Sequence, residues 1–267
     1  MIAETLVPLR YQTLRRNWGR AGSGAGSRDA GKIVGLERLT APMECSTYLA
    51  RLDELRPWHH ELLSATEEQR AGRYRFAADR DRFVLATALL RLAVAERTGT
   101  EAAAVRLDRS CDRCGEPHGR PQLPGTALHT SISHSGDVVA VALTDTGPVG
   151  IDVEAMRDRD YEALVPRVCR PEERPHITSA ADFYAYWTRK EAVLKATGDG
   201  LRRPMDTVAV TPPGTDPALL ALGGTEPPGC QMADVPAGPG YAASVAVLAD
   251  HPVTFSEAAS GALLRAG

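Results

Sequence analysis

The stretch PVGIDVEAM, residues 148 to 156, reads as a short buried strand, yet it carries Asp152 and Glu154 two positions apart. Side chains alternate faces along a strand, so Ile151 and Val153 turn to a core while both carboxylates share the other side. Two like charges side by side cost stability unless a cation lies between them, and a buried carboxylate needs a partner or a metal. Hard oxygen ligands in small number suit Mg2+, which keeps waters and completes its octahedron with substrate phosphate oxygens. An isolated D-x-E is equally well a strand end with both acids in water, so the pair needs support from the rest of the chain.

Upstream, LHTSISHS and DVVAVALTD are two strands joined by a short turn at Gly136-Asp137. With PVGIDVEAM they make three short strands at close spacing, which predicts one small antiparallel sheet. Ser133 and His134 stand where a strand enters a turn, and a hydroxyl, an imidazole and backbone N–H groups can hold an anion there; a lone histidine is also an ordinary structural residue. No G-x-S-x-G elbow surrounds these serines, which argues against a serine hydrolase. Further upstream, Ser64 or Thr66 can cap a helix with Glu67 and Glu68 in its first turn. From Arg82, the residues Phe83, Leu85, Ala86, Leu89, Leu90, Leu92, Ala93 and Val94 give a wide apolar face, and Gly99 ends it. This predicts a core helix of roughly 18 residues, approached by Arg70, Arg73, Arg75, Arg80 and Arg82. Those arginines are either a solvated face or an anion-binding surface. In CDRCGEPHGRP, Cys111, Cys114 and His118 open a zinc pattern that no second CxxC or HxxxH completes, and Arg120 adds a cation.

Downstream lies YAYWTRKEAVLKATGDGLRRP. On a helix Trp187, Glu191 and Lys195 share one face, with Lys190 adjacent, and the glycines at 198 and 200 end the helix. The acid and lysines are either a stabilising helix pair or the remainder of a metal-phosphate site. Helical segments near 160–168 and 179–197 precede strands around 206–211, 229–235 and 241–249. Each half of the chain therefore reads as a long helix with a few antiparallel strands, an α+β fold with an internal duplication.

A net charge of −3 gives no global attraction for nucleic acid or anionic membrane. No apolar run approaches the ~20 residues that cross a bilayer, and the N-terminus lacks the apolar segment of a secretory signal. Five scattered cysteines, an odd number, point to a reducing cytoplasm. RRNWGRAGSGAGSRDAGK has the composition of a flexible tail, and Met43, just before ECSTYLARLDEL, is a plausible true start. The expected organisation is an N-terminal extension over residues 1–43, an N-terminal half over 44–148, and a C-terminal half over 149–267 carrying most of the metal site.

In order, RYRFAADRDRF, HGRP, SISHS, GIDVE and WTRKEAVLKATGDGL resemble the motifs of the 4′-phosphopantetheinyl transferases of the larger, monomeric Sfp type. The last is close to the family's W-[S/T]-x-K-E-A-x-x-K-x-x-G-x-G-L, and the resemblance covers roughly residues 44 to 250. It implies two similar halves related by a pseudo-twofold, each a small antiparallel sheet packed on a long helix, with coenzyme A in the cleft between them. By the same resemblance Asp152, Glu154 and Glu191 hold Mg2+. Lys195 and Lys190 contact phosphate, as do Ser133 and His134, and the stretch through Arg73, Arg75 and Arg82 holds the 3′-phosphate. Arg120 replaces a frequent lysine, keeping the charge but changing its reach. The implied reaction moves the 4′-phosphopantetheine arm to a serine of an apo acyl or peptidyl carrier protein, with Glu191 as base and Asp152 and Lys195 in the catalytic set. Arg202 and Arg203 are candidates for meeting an acidic carrier; a monomer working without nucleic acid or membrane is expected. The rival readings are a Mg2+-dependent nuclease, loosely matched by D…E-x-K chemistry, and a non-catalytic coenzyme A-binding module.

Overall fold

The computed structural model describes residues 43–111, 113–117, 119–157 and 161–265. The expected N-terminal extension, apart from Met43, lies outside the described residues, as does His118 of the zinc pattern.

The chain is α+β. A first sheet has the order β2-β3-β1-β9, built from β1 (Glu44–Arg51), β2 (His129–Ser135), β3 (Val138–Thr144) and β9 (Thr254–Glu257). β2 and β3 form the expected hairpin, with Ser135 opposite Val138. β1 lies antiparallel to β3, whereas β9 runs parallel to β1, so this sheet is not purely antiparallel. A second sheet, β4-β8-β7, is fully antiparallel and comprises β4 (Val149–Ala155), β7 (Cys230–Asp234) and β8 (Tyr241–Leu248). β5 (Val208–Val210) and β6 (Leu219–Leu222) pair separately.

One expectation is corrected here. β4 does not join β2 and β3 in a sheet; its ladder is with β8, Ile151 opposite Val245. The reason is hydrophobic. β3 is buried on both faces, with Val139, Val141 and Leu143 against the long helix over Ala77–Thr98 and Val138, Ala140 and Ala142 against Val149, Ile151 and Val153. A strand buried on both sides carries a continuous apolar run, and VVAVALT supplies one.

The short helix α1 (Ala65–Ala71) has the expected cap: Ser64 accepts from Glu67 N, and the Glu67 side chain returns the bond in a capping box. The cap does not serve the core helix, which starts afresh at α2 (Ala77–Thr98) and ends on Gly99 in a left-handed conformation. α2 covers the first sheet with Leu85, Leu89 and Leu90. After the short α3 (Val165–Val168), helix α4 (Ala180–Thr197) starts at Ser179, whose hydroxyl accepts from Asp182 N. It stops at Gly198, φ 78°. α4 packs its Phe183, Tyr186, Val193 and Leu194 into a second core. Its backbone presses onto β4 at Gly150, where a Cβ would sit 2.0 Å from Ala192 O and 2.6 Å from Ala196 N. Only glycine permits this approach, which brings the α4 side chains down to the level of Asp152. A short α5 (Ser260–Leu263) closes the described chain.

Candidate active site

Asp152 is the most enclosed acid of the GIDVE strand, 3% exposed. Its Oδ1 accepts from Lys195 Nζ at 2.7 Å and from Ser133 Oγ at 2.8 Å. Lys195 Nζ also donates to Ile151 O at 2.9 Å. The other oxygen, Oδ2, is buried and has no hydrogen-bond partner among the described residues, an arrangement that costs free energy unless something is bound there. Glu154 lies on the same face two residues on, and its Oε2 accepts from Ser135 Oγ at 2.7 Å. Glu191 comes from α4, 8% exposed. Burial first, then the negative charges of Asp152 and Glu154, raise its pKa, while Lys195 opposes them. Glu154 is raised by burial and by Asp152, against the Ser135 hydrogen bond and the Lys195 charge. Three carboxylates from two elements thus sit within electrostatic reach of one another.

Among the described residues no three acid, imidazole or thiol groups already form a closed ligand cage. The donor set nonetheless fits a hard divalent cation that brings waters and phosphate oxygens of its own, and the orphaned Asp152 Oδ2 is the specific observation in favour of one.

Beside these carboxylates opens a cavity of about 450 Å3, lined by Arg109, Arg120, Ser133, His134, Lys195 and Gly198 among others. His134 is exposed at the end of β2; partial burial of its ring, then the Arg82 charge, lower its pKa, with Lys195 adding to the effect. Arg120 donates to Val149 O at 2.8 Å and Ala196 O at 3.4 Å, so it ties the start of β4 to the end of α4 while lining the cavity. Arg82 bonds Asp79 at 2.5 Å and Gly136 O at 2.6 Å.

Several expected contacts lie elsewhere. Lys190 is fully buried on the far side of α4, its Nζ bonded to Glu173 at 2.5 Å, Val168 O at 2.8 Å and Met205 O at 3.3 Å. A lysine so enclosed has no path to a phosphate, and the phosphate-contact expectation is corrected to a structural anchor. Arg73 and Arg75 are exposed and line no part of the cavity; Arg75 lies over the exposed Phe76 ring, 5.3 Å from its centroid. Arg203 is paired with Asp199 at 2.6 Å.

Arg109 was not legible in the sequence. It lines this cavity and a smaller one of about 180 Å3 that also contains Arg70. Its guanidinium lies 5.9 Å from the Phe83 ring centroid, with Arg70 at 5.0 Å from the same ring. Its Nε is buried without a partner among the described residues. Burial and then Arg70 push its pKa down to about 10, with Glu67 opposing. Glu67 is already engaged by Arg91 at 2.7 Å. Among the described residues no carboxylate pairs with this cation. In the sequence nothing distinguishes it from the chain's other arginines.

The profile described as 4′-phosphopantetheinyl transferase superfamily matches residues 148–246, and that described as 4′-phosphopantetheinyl transferase, N-terminal, matches residues 55–146. The chain is 35% identical over 166 residues to the 4′-phosphopantetheinyl transferase HetI of Nostoc sp. (strain PCC 7120), covering 59% of this chain and 68% of the relative. It is 29% identical over 155 residues to a 4′-phosphopantetheinyl transferase of Bacillus subtilis, covering 55% and 66%. With the 4′-phosphopantetheinyl transferase Sfp of Bacillus subtilis (strain 168) it shares 26% identity over 196 residues, covering 71% and 83%. The first two alignments thus span about two thirds of each relative's length.

Proposed function

Because the chain belongs to the 4′-phosphopantetheinyl transferase superfamily, we propose that it transfers the 4′-phosphopantetheine arm of coenzyme A to a serine hydroxyl of an apo acyl or peptidyl carrier protein, with Mg2+ present. The new bond joins the serine oxygen to the β-phosphorus; the bond from that phosphorus to the bridging oxygen breaks, and 3′,5′-ADP leaves. The observation that carries the reading is the orphaned Asp152 Oδ2 beside a lysine, on the edge of a cation-lined cavity.

Asp152, Glu154 and Glu191 would hold the cation, which when bound supplies charge neutralisation to the diphosphate. Lys195, held by Asp152, presents a second positive charge to phosphate oxygens. His134 offers a hydrogen bond at the same wall, beside Ser133, whose one proton goes to Asp152. Arg109, whose guanidinium has no ion pair among the described residues, lines the cavity and offers its charge to a further anionic group of the nucleotide, whereas Arg73 and Arg75 do not line it. Glu191 accepts the proton of the attacking serine; burial makes it a stronger base than an ordinary carboxylate, provided the hydroxyl arrives within hydrogen-bond reach. The exposed Arg202 is available to an acidic carrier. The same reading takes the protein to act as a monomer in the cytoplasm, and among the described residues no helix is long and apolar enough to cross a membrane. The nuclease alternative requires an acid and lysine on a strand, whereas Glu191 and Lys195 are on α4.

The test is incubation with coenzyme A, Mg2+ and a panel of apo carrier proteins, read by intact mass. The expected result is a gain of one phosphopantetheinyl arm on one serine, lost with EDTA. Coenzyme A binding with no modification of any carrier would instead favour the non-catalytic module.

A further inference from the structure

The first sheet ends on β2 and the second on β4, and these two edge strands lie side by side. Among the described residues no backbone hydrogen bond links them. An unpaired sheet edge is a liability that proteins cover, and here serines cover it. Ser131, Ser133 and Ser135 alternate along β2 and so share one face. Ser131 Oγ accepts from Ile151 N at 3.1 Å, Ser133 Oγ donates to Asp152 Oδ1 at 2.8 Å, and Ser135 Oγ accepts from Ala155 N at 3.1 Å. Ser135 also donates to Glu154 Oε2 at 2.7 Å.

We propose that Ser135 is a positioning residue for the metal site, fixing the Glu154 carboxylate for the divalent cation; this rests on the transferase reading above. The Ala155 N–H occupies a lone pair of Ser135 Oγ, which orients the hydroxyl so that its one proton goes to Glu154. Glu154 depends on that bond. Asp152 is held twice, by Lys195 and Ser133, whereas Ser135 is the one hydrogen-bond partner of the Glu154 side chain among the described residues. A glutamate at a partly open strand end has several rotamers to lose, and binding a cation would have to restrain it anew. With Ser135 in place, Oε2 is anchored and Oε1 is left for a ligand. Partners of this kind, behind the metal ligands, set metal affinity strongly. Ser131 is the built-in control: it closes the same seam and lines the same cavity but touches no carboxylate.

The experiment titrates the full chain with Mn2+ in the presence of coenzyme A and without any carrier, reading the free-ion signal by electron paramagnetic resonance. Melting temperatures are taken in parallel. Ser135→Ala is expected to raise the Mn2+ midpoint on the order of 10-fold, Ser135→Thr to restore it, and Ser131→Ala to leave it in place while lowering the melting temperature about as much as Ser135→Ala does. A Ser135→Ala midpoint equal to wild type, or a Ser131→Ala midpoint raised just as far, would overturn the proposal while leaving the transferase reading standing. Absence of any Mn2+ uptake by the wild-type complex would overturn both.

Discussion

Two lysines on one helix have opposite employments. Lys195 stands at the cavity wall, its side chain 27% exposed, paired with an acid that has an oxygen to spare. Lys190, five residues earlier, has no exposed surface and is shut in with Glu173 and two carbonyls. Five residues turn a helix about 140° beyond a full revolution, so the two ammonium groups cannot serve one site. The same division runs through the whole motif. Arg189 is locked to Asp234 and to the carbonyls of Thr211, Pro212 and Thr215, while Glu191 turns to the carboxylates of β4. A charged motif thus mixes residues that hold the helix with residues the helix holds out, and identity alone does not separate them.

The sharpest way to break this contrast is to truncate each lysine. Lys190→Ala leaves Glu173 buried without its cation, and such a loss costs about 3–5 kcal/mol; denaturant unfolding should show it directly. Lys195→Ala should cost less in unfolding than Lys190→Ala, because Lys195 is 27% exposed and Asp152 keeps its Ser133 bond, while impairing coenzyme A binding. The reverse pattern, a stable Lys190→Ala that no longer binds coenzyme A, would restore the phosphate role that the structure removes from Lys190.

Next in size is the loss of chemistry on the cavity face. Glu191→Gln and Asp152→Asn should each lower the single-turnover transfer rate about 10^2–10^3-fold with circular dichroism and melting near wild type. Rates close to wild type in either variant would remove that carboxylate from the site.

Arg109→Ala should raise the KM for coenzyme A about 10-fold, as expected for a lost charge-assisted hydrogen bond. Stability should not fall, because crowding with Arg70 is relieved. An unchanged KM would leave Arg109 a structural residue.

The smallest effect is on pH dependence. Glu191 and Glu154 have pKa values raised in the folded protein, so the native state binds these protons more tightly than the unfolded chain does. Without metal, their contribution to stability is full below the unfolded value of about 4.3 and is lost as pH rises through the raised native values. The melting temperature in EDTA should therefore decline across that window for wild type, less so for Glu191→Gln, and Mg2+ with coenzyme A should recover it at neutral pH.

Much of this could be read from the chain before folding. The D-x-E strand, the helix over residues 180–197 and its Glu191–Lys195 face follow from periods of 2 and 3.6, and the structure has them. What could not be read was set at long range. β4 was legible as a strand, but its partner was not, because the choice between β3 and β8 is decided by which faces of β3 are already buried. β1 and β9 escaped notice because ECSTYLAR and TFSE carry no strong alternation, and their pairing joins the two ends of the described chain. Lys190 was misread because its acid, Glu173, comes from a loop. Arg109 was missed because its significance is the lack of a partner among the described residues, which only a three-dimensional arrangement reveals.

The central claim is that carboxylates from β4 and α4 meet at one divalent cation that also holds the diphosphate. A crystal of the protein grown with coenzyme A and Mn2+, measured at the manganese absorption edge, tests it most directly. The account predicts an anomalous peak within coordinating distance of Asp152 Oδ2 and of a diphosphate oxygen, with Lys195 on the same phosphates. A peak elsewhere, or coenzyme A seated with its diphosphate away from Asp152 and Glu191, would contradict it.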